Sequence, residues 1–133
     1  MIRWVIAVSV LFVAGCSGAS DGPERAVVSG SVTYQGKPLE SGDILFTPVA
    51  GNDSPAAGAV ITDGQYVTTN KGGVPMGKFQ VKITGFRLRP GSGQNGDMQE
   101  FIQYIPVKYN ERTTLEVDIS QDSPEKQYDF DLQ

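Results

Sequence analysis

Between Val28 and Leu132, apolar side chains recur at every second position in short runs that turn residues interrupt. Val28, Gly30, Val32 and Tyr34 alternate with Ser29, Ser31 and Thr33, the pattern of a strand with one buried face. Gln35-Gly36-Lys37-Pro38 reads as a tight turn; Ile44 and Phe46 then alternate with Leu45 and Thr47 until Pro48. Residues 57–61 and 65–69 form a hairpin pair around Thr62-Asp63-Gly64. Over residues 78–86, Phe79, Val81 and Ile83 face one way while Lys78, Gln80, Lys82 and Thr84 face the other. Residues 113–119 and 127–132 repeat the alternation, the last with Tyr128, Phe130 and Leu132 against Asp129 and Asp131. No window supports an amphipathic helix longer than a turn or two. About seven such strands, separated by Gly/Pro-rich turns, predict an all-β chain folded as a two-sheet Greek-key sandwich. Each sheet would expose an apolar face unless the other covered it.

The start of the chain follows a different rule. Arg3 precedes an apolar run from Trp4 to Ala14, and Val13-Ala14-Gly15-Cys16 follows. A helix of that length rises only about 16 Å, well short of a hydrocarbon core of about 30 Å. The run therefore reads as a secretory signal and not as a permanent span. Ending on the single cysteine, it resembles the bacterial lipoprotein signal, whose box reads aliphatic–small–small–Cys. That resemblance implies cleavage between Gly15 and Cys16, a diacylglyceryl group on the Cys16 sulfur and acylation of the new amino terminus. Two or more acyl chains anchor stably where one does not. Ser17 in place of Asp favours the outer membrane under the enterobacterial sorting rule, and both cell membrane and outer membrane stay open. Residues 16–26 read as a lipidated cysteine with a small, polar tether, and residues 27–133 as one domain.

Composition narrows the function classes. The chain has 11 basic and 15 acidic side chains, a net charge of −4, and becomes more acidic still once Arg3 is removed. That balance speaks against nucleic acid, which needs a basic face. It also makes acyl chains, and not electrostatics, the expected contact with the membrane. With one cysteine, no disulfide staples the fold. The absence of histidine removes the commonest general base and transition-metal ligand, so neither a catalytic triad nor a histidine metal site is expected.

Several constellations carry chemistry on paper. Gly91-Ser92-Gly93-Gln94-Asn95-Gly96 matches the dinucleotide fingerprint, but no helical periodicity follows it, so it reads as a hairpin tip. Asp53, Asp63 and Asp97 lie in turns without the spacing of a calcium loop. The pairs Glu116/Asp118 and Asp129/Asp131 read as solvated strand faces and not as a hydrolase dyad. Phe101, Tyr104 and Tyr109 suit sugar stacking, with core and rim packing as the expectation. Arg87 and Arg89 concentrate positive charge beside the glycine loop. Together with Asp97 they form the candidate binding loop, suited to an anionic polysaccharide or to carboxylates of an envelope protein.

The run Val28-x-Gly30-x-Val32, with Gly36-Lys37-Pro38-Leu39 and Gly42-x-Ile44-x-Phe46-x-Pro48, resembles the carboxypeptidase regulatory-like domain. Pro75-Met76-Gly77-Lys78-Phe79-Gln80-Val81 is similar to that family's later strand. Residues 105–110 with Thr113-Thr114-Leu115 resemble the last third of small bacterial lipoproteins built on it. The resemblance implies a seven-stranded, transthyretin-like (prealbumin-like, Ig-like) sandwich and brings no peptidase activity with it; no catalytic residue, metal or cofactor is expected from the residues. Two roles are expected from it. One is a lipid-anchored structural or binding protein of the cell envelope; the other is an accessory subunit or small-ligand carrier of transthyretin-like type.

Overall fold

A computed structural model describes residues 24–120 and 127–133. In chain order the strands are β1 (Arg25–Ala26), β2 (Ser29–Tyr34), β3 (Lys37–Pro38), β4 (Ser41–Pro48), β5 (Ala57–Thr62) and β6 (Gln65–Val67). There follow β7 (Val74–Pro75), β8 (Gly77–Leu88), β9 (Phe101–Gln103), β10 (Glu116–Ile119) and β11 (Phe130–Leu132). Two single 3₁₀ turns, Asn70–Gly72 and Val107–Tyr109, are the helical segments among the described residues. The described residues are all-β, as the alternation predicts.

The main sheet runs β10-β8-β4-β5-β6-β2-β11, with β3 beside β2 and β9 beside β8. It curls until its two halves face each other, so the two layers of the sandwich join through β5 and β6. The corner is narrow: β5 pairs with β4 along its whole length but meets β6 only at Thr62 opposite Gln65. Strands β4, β5 and β6 form a meander, and β2 lies beside β6, which is a Greek-key arrangement. Every pairing is antiparallel except β11 with β2, which is parallel.

Between the layers lies a single apolar cluster. Phe46, Phe79, Val81, Ile83 and Ile119 come from one half; Val32, Tyr66 and Leu132 come from the other. The Phe46 and Tyr66 rings pack across the gap with centroids 6.3 Å apart. Val117 is buried with them, and Phe130 packs against their edge. Burying one large aromatic ring of this kind contributes about 1.5–3 kcal/mol.

The alternation misjudged several ends. Strand β11 starts at Phe130, three residues later than the pattern indicates. Before it, Gln127 makes an isolated bridge to Ser29. Regular pairing in β10 begins at Glu116, because Thr113 is buried and its hydroxyl donates to the Val81 carbonyl at 2.6 Å. The paired backbone also begins at Arg25, inside the stretch read as tether, where Arg25–Ala26 meets Val74–Pro75.

Turn chemistry sets the ends of the molecule. Gln35 and Gly36, and Asp63 and Gly64, all have positive φ (52° and 78°; 51° and 76°). Two such residues in succession make the mirror-image turn whose twist suits a two-residue hairpin. The two turns close β2–β3 and β5–β6 at the same end of the sandwich, where Asp63 N–H donates to the Glu40 carbonyl at 2.9 Å.

Candidate functional site

Strand β8 has twelve residues, and its length separates two ends of the molecule. At its start, Met76 N–H donates to the Glu24 carbonyl, so the N-terminal chain enters beside Gly77. At its finish, Leu88 lies opposite Phe101 in a hairpin that outruns β4. At about 3.3 Å per residue the two ends are up to about 36 Å apart. Strand β2 runs the same way, from Ser29 at the entry end to Tyr34 at the far end.

The far end holds a groove of about 630 Å³ lined by Tyr34, Lys37, Glu40, Asp63, Arg87 and Tyr104, with Gln35 and Pro38. Its residues converge for local reasons. On β8, Phe79, Val81 and Ile83 point into the core, and Arg87 continues that same face two residues beyond Gly85. There the opposing layer has ended, so the row that was buried now looks over the rim. Tyr34 ends β2, Lys37 opens β3, Glu40 precedes β4, and Asp63 is the first residue of the β5–β6 turn.

Within the groove, the Arg87 guanidinium lies over the Tyr104 ring, 4.9 Å from its centroid. Tyr34 meets Tyr104 edge-on at 5.8 Å with an interplanar angle of 67°. Burial raises the Tyr104 pKa above the ordinary tyrosine value, and the nearby Glu40 carboxylate raises it further, while Arg87 pulls it down. Both charges thus act on one phenol. Lys37, Arg87, Glu40 and Asp63 make no ion pair among the described residues, where the ion pair present is Arg89 with Glu100 at 3.1 Å.

The sequence-predicted site residues separate. Arg87 belongs to the groove. Arg89 lies beyond it, with its side chain engaged by Glu100 and its N–H donating to the Glu100 carbonyl at 2.6 Å. Asp97 is exposed at the hairpin tip, where its N–H closes a turn onto the Gln94 carbonyl at 3.0 Å. Gly15 and Cys16 lie outside the described residues. Tyr34, Lys37 and Asp63 read as strand and turn residues, Asp63 also being weighed with Asp53 and Asp97 for calcium, and nothing in the sequence singles out Glu40; only the fold gathers the four.

Other candidates resolve differently. The glycine-rich run 91–96 sits in the loop joining β8 to β9, so no helix N-terminus assembles there. Asp53, Asp63 and Asp97 lie in separate parts of the molecule, and the described residues contain no group of three metal-ligating side chains. The Asp129 and Asp131 carboxylates are not merely solvated: Asp129 accepts from Ser31 N–H at 2.8 Å and Asp131 from the Thr33 hydroxyl at 2.7 Å. They clip β11 and its approach onto β2. The Ser31 amide holds the Asp129 carboxyl below the usual carboxylate range. Of the three aromatics, Tyr104 and Tyr109 pack against the core, whereas Phe101 is 61% exposed. Phe101 shares the outer face of the hairpin with Leu88, its cross-strand partner, where no second layer covers them.

A larger trough of about 980 Å³ crosses the outer face of β4 and β5. Leu45, Gly58, Val60 and Val67 line it, and Asp43 and Lys82 lie in the same rows, opposite Val60 and Leu45, with Glu111 beside them. Gly58 lies opposite Leu45, so the missing side chain deepens it.

No family model matches the chain, and no curated protein matches it. Among solved structures it is similar to a 9R-lipoxygenase from Cyanothece PCC8801, at 12% identity and a TM-score of 0.36. The match covers 82% of this chain but only 16% of the lipoxygenase chain, and at that score it carries nothing about fold or activity.

Proposed function

We propose that this chain is a lipid-anchored, non-catalytic binding module of the bacterial cell envelope, related to the carboxypeptidase regulatory-like domains that its sequence resembles. The acylated Cys16 holds it to the extracytoplasmic face of the cell membrane or outer membrane. The groove around Arg87 and Tyr104 is its working surface. One observation carries this reading: the N-terminal chain enters at one end of β8, and the groove opens at the other. A protein tethered through residues 16–23 presents its far end away from the bilayer, toward envelope polymers or proteins.

The acidic balance supports the same reading, because it gives the domain no electrostatic reason to lie flat on anionic lipid. The alternative, an accessory subunit or small-ligand carrier of transthyretin-like type, asks for a closed apolar pocket or a symmetric dimer groove. The larger concavity is an open trough that Asp43, Lys82 and Glu111 line together with Leu45 and Val60, which favours a binding module over a closed-pocket carrier.

The test is fractionation and mass spectrometry of the full-length chain expressed in a bacterium. The expected result is recovery with membranes and an N-terminal peptide that begins at acylated Cys16; Cys16→Ser protein appears in the soluble fraction. An unmodified Cys16 in membrane-recovered protein, or a Cys16→Ser protein that stays with membranes, overturns the anchor.

A further inference from the structure

We infer that the groove at the far end is a site for a carboxylated saccharide, with Arg87 and Lys37 holding the carboxylate and Glu40 and Asp63 accepting ring hydroxyls. This rests on the reading of that end as the binding face and names its ligand class.

The central carbon of the Arg87 guanidinium lies over the Tyr104 ring, 4.9 Å from its centroid. A cation held over a ring keeps the N–H donors that point away from the ring, and the Arg87 guanidinium N–H groups make no hydrogen bond or ion pair among the described residues. A carboxylate meets such a fork through two parallel hydrogen bonds. Lys37 lines the same groove and adds a second positive charge with no ion-pair partner among the described residues.

Glu40 and Asp63 line the groove as well, likewise without an ion-pair partner. Two cations and two anions side by side make the groove electrically balanced, so a purely anionic ligand meets repulsion as well as attraction. A uronic-acid unit resolves this: its carboxylate goes to Arg87 and Lys37, and its hydroxyls donate to Glu40 and Asp63. A uronate unit carries its carboxylate and its hydroxyl donors on one ring, whereas an acidic peptide has only main-chain N–H groups to offer those two acceptors. Tyr34 and Tyr104 supply the apolar wall that sugar C–H faces require. The volume, about 630 Å³, falls within the ~300–1,000 Å³ usual for ligand clefts.

The probe is tetragalacturonate, titrated into full-length protein by calorimetry, with maltotetraose and tetraglutamate as comparisons. The expected result is saturable binding of tetragalacturonate at low salt, at least about tenfold weaker for the two comparisons. Arg87→Gln weakens it about tenfold or more, and Arg89→Gln leaves it unchanged because Arg89 is engaged by Glu100 outside the groove. Arg87 is exposed, so the variant is expected to keep the wild-type melting temperature; if it does not fold, Lys37→Gln gives the reading in its place. Absence of tetragalacturonate binding overturns the inference. So does equal or tighter binding of maltotetraose or tetraglutamate, or full affinity in a folded Arg87→Gln protein. The Cys16→Ser protein, titrated in parallel, separates the two claims, since ligand binding there is independent of lipid attachment.

Discussion

The Tyr66 hydroxyl donates a 2.6 Å hydrogen bond to the main-chain carbonyl of Tyr128. The Tyr128 hydroxyl in turn donates to the Asp118 carbonyl at 3.1 Å. Through this relay β6, the approach to β11 and the edge strand β10 are linked, although they sit at distant positions in the sheet order. Burial pushes the Tyr66 hydroxyl far above the ordinary tyrosine range, and the neighbouring Asp129 adds to it, so it is a permanent donor at any physiological pH. Tyr66→Phe keeps the ring against Phe46 and strands the carbonyl. The expected cost is about 1–3 kcal/mol, read as a lower urea midpoint with an unchanged slope.

Gly30 explains how Tyr128 comes so close. A Cβ at position 30 would stand 1.9 Å from the Tyr128 carbonyl oxygen, far inside contact distance. Gly30→Ala therefore pushes the final segment off β2, at a cost of about 1–3 kcal/mol or more. Hydrogen exchange should then lose protection at residues 130–132 first. Gly36→Ala is the contrast: nothing lies within 4 Å of its Cβ, and only its φ of 78° resists. Its expected cost is about 1–2 kcal/mol, with β11 still protected.

Asp129 makes the attachment of that segment sensitive to acid. Its carboxyl titrates below the usual range because the Ser31 amide donates to the ionised form. A carboxyl depressed in the folded state contributes stability that is complete above its unfolded value, about 3.9. That contribution is lost as the pH falls through the lower, folded value. The difference in stability between wild type and Asp129→Asn should be constant at neutral pH and narrow below about pH 4. Urea unfolding at neutral and acid pH measures it; a difference that widens toward acid contradicts the assignment.

Asn110 closes the edge of β8 where no strand pairs with it. Its buried amide donates to the carbonyls of Ile83, Ile105 and Pro106 at 3.3, 3.2 and 3.1 Å. Asn110→Ala leaves these acceptors without that donor and should cost about 1–3 kcal/mol. Asn110→Asp should be worse than neutral replacement at neutral pH and improve on acidification, because a carboxylate cannot donate to a carbonyl. Thermal melts of both variants at two pH values distinguish them.

Alternation alone identified the rows that fill the core. Phe79, Val81, Ile83, Val117 and Leu132 are buried where period two puts them, because a strand with one dry face has no other way to arrange its side chains. Turn chemistry marked both turns, as Gln35–Pro38 and Thr62-Asp63-Gly64, since the demand for positive φ is local; the turns themselves are two residues long, and Lys37–Pro38 already pairs as β3. Strand pairing was a different matter. Nothing in residues 127–132 announces that they run parallel to β2, or that Asp129 and Asp131 reach Ser31 and Thr33. Nor does any local signal gather Tyr34, Lys37, Glu40, Asp63, Arg87 and Tyr104 around one groove. The dry face of the longer strands is written in their alternation, because burial follows from the character of neighbouring side chains. Which charges meet depends on the folded arrangement: long-range register brings Tyr34 and Tyr104, seventy positions apart, onto one rim, and the chain order carries no record of that approach.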